Sequence, residues 1–116
     1  MKIRIKGNSL RYRLTKSDID CFSNNGYIEE CISFGNQKLT YALQRYQEGE
    51  LTADFNDQKI TLYVPAYMAM EWTTTDRIGF ENSNDAFYLL IEKDFKCFDN
   101  VAEDQSDNYA NPLSKI

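Results

Sequence analysis

Apolar and polar residues alternate at the start of the chain. Ile3 and Ile5 fall between Lys2, Arg4 and Lys6, and Leu10, Tyr12 and Leu14 alternate with Arg11 and Arg13. A period of two belongs to half-buried strands. Gly7-Asn8 lies between the two runs and suits a two-residue hairpin turn with positive φ. The hairpin then sets Ile5 against Leu10, Ile3 against Tyr12, Arg4 against Arg11 and Lys2 against Arg13. One face is apolar. The other carries five cations: Lys2, Arg4, Lys6, Arg11 and Arg13.

The period changes at "LTKSDIDCFSNNG", which reads as a short helix. Thr15 is the expected N-cap, and Asp18 three residues later completes a weak capping box. Ile19 and Phe22 share a face, and Gly26 supplies the stop. Alternation then returns. "YIEECISF" places Ile28, Ile32 and Phe34 on one side; "KLTYALQRY" does the same with Leu39, Tyr41 and Leu43, after a "GNQ" loop. "ELTADF" and "KITLYV" make a further hairpin around Asn56-Asp57-Gln58. In it Leu51, Ala53 and Phe55 face Ile60, Leu62 and Val64, in a register that the pattern leaves open. Pro65 opens "PAYMAMEW", expected to be two helical turns with the proline at the first helical position. Arg77 to Glu81 and Ala86 to Glu92 form a last hairpin. Its second strand, "AFYLLIE", is apolar on both faces, as a strand covered on both sides would be.

The pattern predicts about eight strands at roughly ten-residue spacing and two short helices. That is an α+β domain with a mostly antiparallel sheet, curled into a partly open barrel or sandwich. No internal repeat is evident and no linker divides the chain. The 116 residues suit a single domain spanning 1–116.

Composition narrows the chemistry. Eight Tyr and seven Phe beside five Gly and two Pro favour strands. There is no histidine, which removes His-based triads and most zinc sites. The three cysteines, Cys21, Cys31 and Cys97, lack Cys-x-x-Cys spacing and suit neither a disulfide framework nor a zinc site. They are expected to be small buried hydrophobes. The start has no apolar stretch of signal-peptide length, and the longest apolar run, Ala86 to Ile91, is too short to span a bilayer. A reduced, cytoplasmic protein is expected, with no membrane contact.

The net charge of −5 speaks against nonspecific nucleic-acid binding. It hides an asymmetry: residues 1–16 hold six cations and no acid, while residues 92–108 hold six acids and two lysines. Like charges on paired strands repel, so the hairpin face needs either acidic neighbours or an anionic ligand. The acidic region supplies candidates in Asp99, Glu103, Asp104 and Asp107. Asp104, Ser106 and Asn108 alternate like the first ligands of a calcium loop. However, Tyr109 stands where that loop needs glycine, and Lys115 where it needs the bidentate acid. Residues 99–116 therefore read as a loose acidic tail, a weak metal site, or a segment docked on the domain, with Tyr109 and Pro112 favouring docking. Trp72, with Tyr67, Met68 and Met70, reads as a lid on the core. No phosphate loop, dinucleotide fingerprint or Gly-x-Ser-x-Gly is present, so no cofactor is implied.

"MKIRIKGNSLRYRLTKSD" and "LLIEKDFKCFDNVAEDQSDNYANP" resemble the two ends of a family of short bacterial proteins with no assigned function. Phe34-Gly35 and Thr40-Tyr41-Ala42-Leu43 match between them. Family members often have proline where this chain has Ala110. The resemblance implies no activity. It does imply that the basic start and acidic finish belong to one architecture. The reading is a binding protein rather than an enzyme, whose acidic C-terminal segment folds back onto the cationic hairpin face and whose partner is an anionic small molecule or an acidic protein. The alternative is a metal-dependent phosphate- or nucleotide-handling enzyme using the cationic strands as its anion site. Oligomeric state is not readable.

Overall fold

The computed structural model describes residues 1–83, 87–95, 107, 109 and 110. The described residues form eight strands and two helices: β1 (Lys2–Lys6), β2 (Ser9–Leu14), α1 (Lys16–Asn25), β3 (Tyr27–Ser33), β4 (Lys38–Tyr46), β5 (Thr52–Asn56), β6 (Lys59–Pro65), α2 (Ala66–Thr74), β7 (Gly79–Ser83) and β8 (Tyr88–Lys93). They make an α+β fold of two four-stranded sheets, ordered β1-β2-β8-β7 and β3-β4-β6-β5. No closed barrel forms among them. The hairpins are antiparallel, but the inner pairs β2·β8 and β4·β6 are parallel, so both sheets are mixed. Short-range alternation reveals hairpins; it carries no trace of how hairpins join.

Local signals hold closely. The β1–β2 register pairs Ile5 with Leu10, Ile3 with Tyr12, Arg4 with Arg11 and Lys2 with Arg13. Gly7 takes φ +54° in the turn. Thr15 and Asp18 form a reciprocal capping box, and Gly26, at φ +71°, ends α1 with its N–H donated to the Phe22 carbonyl at 2.7 Å. Pro65 stands one position before the expected one, as the N-cap of α2.

A repeat hidden in the sequence organises the whole. Each half of the chain runs hairpin, helix, hairpin. The first hairpin of one half joins the second hairpin of the other, so the two sheets are assembled from both halves. Residues 2–25 and 52–75 share no identical residue at a spacing of 50. Their buried positions nevertheless correspond: Tyr12 with Leu62, Leu14 with Val64, Ile19 with Ala69 and Phe22 with Trp72. Burial constrains size and polarity, not identity, which is why the repeat escapes a reading by letters.

The registers put the strand ends that close each hairpin at one end and both helices at the other. The core lies between the sheets. Tyr12, fully buried, packs edge-on against Tyr41 at 6.2 Å and donates its O–H to the Ile60 carbonyl at 3.3 Å across the gap. At the helix end Phe22 meets Trp72 edge-on at 6.2 Å. Trp72 is a core residue, as its composition suggested, while Tyr67 and Met70 on the same helix are exposed.

Three expectations need correction. Cys21 and Cys31 are exposed, not buried. Cys21 lies off the Ile19/Phe22 face of α1, and Cys31 pairs with Thr40 on the edge strand β3. Cys97 lies outside the described residues. Strand β8 is interior in its sheet but covered on one face only: Leu89 and Ile91 are buried, whereas Tyr88, Leu90 and Glu92 are partly exposed. Finally, Ile5, Ile32, Phe34 and Phe55 lie on the faces expected to be apolar yet remain exposed. All four sit towards the hairpin-turn end, where the strands run beyond the packed core.

Candidate functional site

The outer face of the β1-β2-β8-β7 sheet is built in rows. The first row is Lys2, Arg13, Glu92 and Gly79; the second is Arg4, Arg11, Leu90 and Glu81; the third is Lys6, Ser9, Tyr88 and Ser83. The cations alternate outward on β1 and β2, and β8 decides which of them find an acid.

At the helix end they do. Arg13 Nε donates to Glu92 Oε1 at 2.6 Å, and Arg11 Nε lies 3.8 Å from the same oxygen. Lys2 Nζ reaches the buried Asp94 Oδ2 at 3.3 Å. Glu92 and Asp94 are thus the described counter-charges of the hairpin. Both belong to the acidic stretch 92–108, but neither was among the acids singled out there. The parallel β2·β8 pairing that brings them beside the cations leaves no local mark in the sequence.

Towards the turns the balance changes. Arg4 and Lys6 are exposed, and among the described residues neither has a carboxylate within ion-pair distance. They line a depression of about 140 Å³ with Ser9, Leu10, Arg11 and Tyr88. A water molecule occupies about 30 Å³ of liquid, so the depression has room for a phosphate group. Glu81 is the acid of the second row, but Leu90 separates it from Arg11. Two strand spacings put it about 10 Å away along the sheet. It accepts the Tyr88 O–H instead. That bond, then burial, pushes the Tyr88 phenol above its ordinary range, while Arg11 acts in the opposite direction.

Of the acidic candidates, Asp99, Glu103 and Asp104 lie outside the described residues. Asp107 does not meet the cationic face. It sits at the N-terminus of α1, where its Oδ2 accepts the Ser17 hydroxyl at 2.6 Å and its carbonyl accepts the Lys16 N–H at 3.2 Å. A carboxylate there complements the exposed amides and the helix dipole. Tyr109 bridges to Phe95, donates its N–H to the Asp94 carbonyl at 2.8 Å, and lies beneath the ammonium groups of Lys16 and Lys93. A wider depression there, about 630 Å³, is lined by Lys16, Asp20, Asp76, Lys93 and Tyr109. Its charges are balanced, and Lys93 is already bound to the Thr75 carbonyl at 2.8 Å. Among the described residues no group of three or more His, Cys, Asp or Glu is placed to hold a metal ion.

The Ser17 hydroxyl, then Thr15, hold the Asp107 carboxylate below the usual value of 3.8. A depressed folded-state pKa contributes stability above the unfolded value and loses it as the pH falls through the folded one. Asp107→Asn should therefore lower the melting temperature at about pH 7. The gap to the unsubstituted protein should close as the pH falls below the ordinary carboxylate range. Melting curves across that range check this; a gap unchanged at about pH 2.5 would show that the charge is not what the contact uses.

No curated protein and no solved structure matches the chain. A family model does match, over residues 1–113, which takes in both termini that carried the resemblance. By that match the chain belongs to a family of unknown function, DUF7009.

Proposed function

We propose that the protein is an anion-binding module, with Arg4, Lys6 and Arg11 as the binding residues and the Tyr88 ring as a flanking wall. The supporting observation is the uneven neutralisation of one cationic face. Glu92 and Asp94 serve Lys2, Arg11 and Arg13, while Arg4 and Lys6 line an indentation without a described counter-ion. Arg4 stands directly opposite Arg11, an arrangement that weakens a hairpin unless an anion sits between the two guanidiniums. Guanidinium pairs favour planar or tetrahedral oxyanions, so a phosphate or carboxylate group fits best. Arg13 and Lys2 belong to the paired part of the face and act as its structural flank. Docking of the 99–116 segment is part of the same reading. It is supported by the contacts of Asp107 with Ser17 at the start of α1 and of Tyr109 with Asp94 and Phe95.

Pyrophosphate titrated into the protein should raise its melting temperature in a saturable way. The double substitution R4Q/R11Q should abolish that rise, and Lys38→Gln, at an exposed position on the other sheet, should leave it intact. Without ligand, R4Q/R11Q should be as stable as the parent or more stable by about 0.5 kcal/mol, because a like-charge pair is removed. An equal rise in all three proteins would count against this site.

A further inference from the structure

The hairpin-turn end opens into an apolar mouth of about 380 Å³ between the two sheets. The two halves of the chain line it with corresponding residues: Ile5 and Phe55, Leu10 and Ile60, Leu39 and Phe87. Ile5 and Phe55 at its rim are 61% and 68% exposed. Large apolar side chains grouped around a concavity mark a binding surface more often than a solvated one.

The mouth does not stand alone. Ser9 and Leu10 line both it and the cationic depression. The two sites therefore occupy opposite faces of one two-stranded ribbon and are continuous around its tip. One offers apolar walls, the other Arg4, Lys6 and Arg11. We infer that the occupant is a single-chain anionic amphiphile, an alkyl phosphate or long-chain carboxylate, with its tail in the mouth and its head on these three cations. At the roughly 30 Å³ that one water takes in the liquid, the mouth of about 380 Å³ has room for several water-sized groups of an alkyl tail. Charge complementarity selects the sign of the head, and the concave shape selects one chain rather than a bilayer face. The inference rests on the anion reading of the same hairpin and names its ligand class.

Calorimetry with dodecyl phosphate, held below its micelle concentration, tests it against inorganic phosphate and dodecyltrimethylammonium. Dodecyl phosphate should bind one to one and at least about tenfold tighter than inorganic phosphate, as burial of even part of the tail requires. The cationic amphiphile should bind at least about tenfold more weakly than dodecyl phosphate. Phe55→Asp, at an exposed position where the fold should survive (circular dichroism checks this), should reduce dodecyl phosphate to the level of inorganic phosphate and leave pyrophosphate binding unchanged. If pyrophosphate binds but the alkyl chain adds nothing, this inference falls and the anion reading stands. If neither binds, both fall. Equal binding of the cationic amphiphile overturns the placement of the head. Light scattering that shows a dimer broken by Phe55→Asp overturns the inference in favour of a second copy covering the mouth. Sedimentation with phosphatidylglycerol vesicles, without binding of the monomeric amphiphile, overturns it in favour of a membrane surface.

Discussion

Trp72→Ala should destabilise the protein by about 4 kcal/mol, the range for removing a large, fully buried aromatic. Trp72 closes the helix end of the core. Its ring packs edge-on against Phe22, and its Nε1–H donates to the Ile78 carbonyl at 2.8 Å. Removal leaves a cavity between the two helices and deprives Ile78 of one donor. At a urea slope of roughly 1.5 kcal/mol per M, the midpoint should fall by roughly 2–3 M. Far-UV circular dichroism reads this without depending on the lost indole. Trp72→Phe separates the two contributions: it keeps most of the packing and should cost about 1 kcal/mol for the bond. A loss below about 1 kcal/mol for the alanine variant would mean that the helix end collapses around the gap.

Gly79→Ala should cost about 3 kcal/mol, far more than one methyl group ordinarily would. An added Cβ would stand 2.0 Å from the Ile91 carbonyl oxygen and 2.9 Å from Glu92 Cα. Both are backbone atoms of β8, so no side chain can swing aside. Strand β7 would have to move off its partner at the Gly79–Glu92 pair. The adjoining Ile78 carbonyl, which accepts from both Trp72 and the Lys93 N–H, would move with it. The two substitutions therefore act on one junction, and the double variant should lose less than the sum of the single losses. Additive losses would show that the junction is not shared. Chemical denaturation of all three variants decides the matter.

The candidate site was partly legible in the sequence. Alternation placed Arg4 opposite Arg11 and gathered five cations on one face, because strand period and a two-residue turn are local properties. It gave no indication that Glu92 and Asp94 would serve one end of that face and leave Arg4 and Lys6 at the other. That division depends on β8 lying parallel to β2, a contact between residues about eighty positions apart. Asp107 illustrates the same limit. Its charge was read as a counter-ion for the hairpin, whereas a nearer use, the exposed amides and hydroxyls at the start of α1, holds it. The exposed cysteines show that a residue's usual burial yields to the face on which its element places it.

By itself the sequence determined the elements: the Gly7-Asn8 turn, the Thr15/Asp18 cap, the Gly26 stop, the register of the first hairpin and the inward faces of Tyr12 and Trp72. Each follows from φ preference, hydrogen-bonding reach or a period of two or 3.6, all of which act within a few residues. Tertiary structure alone decided that hairpins from different halves share a sheet, and that the strands overrun the core at the turn end. It also decided that an apolar mouth and a cationic depression meet around one ribbon tip. Those outcomes depend on which surfaces pack best over long separations, and packing selects volume and polarity without leaving a repeated letter behind.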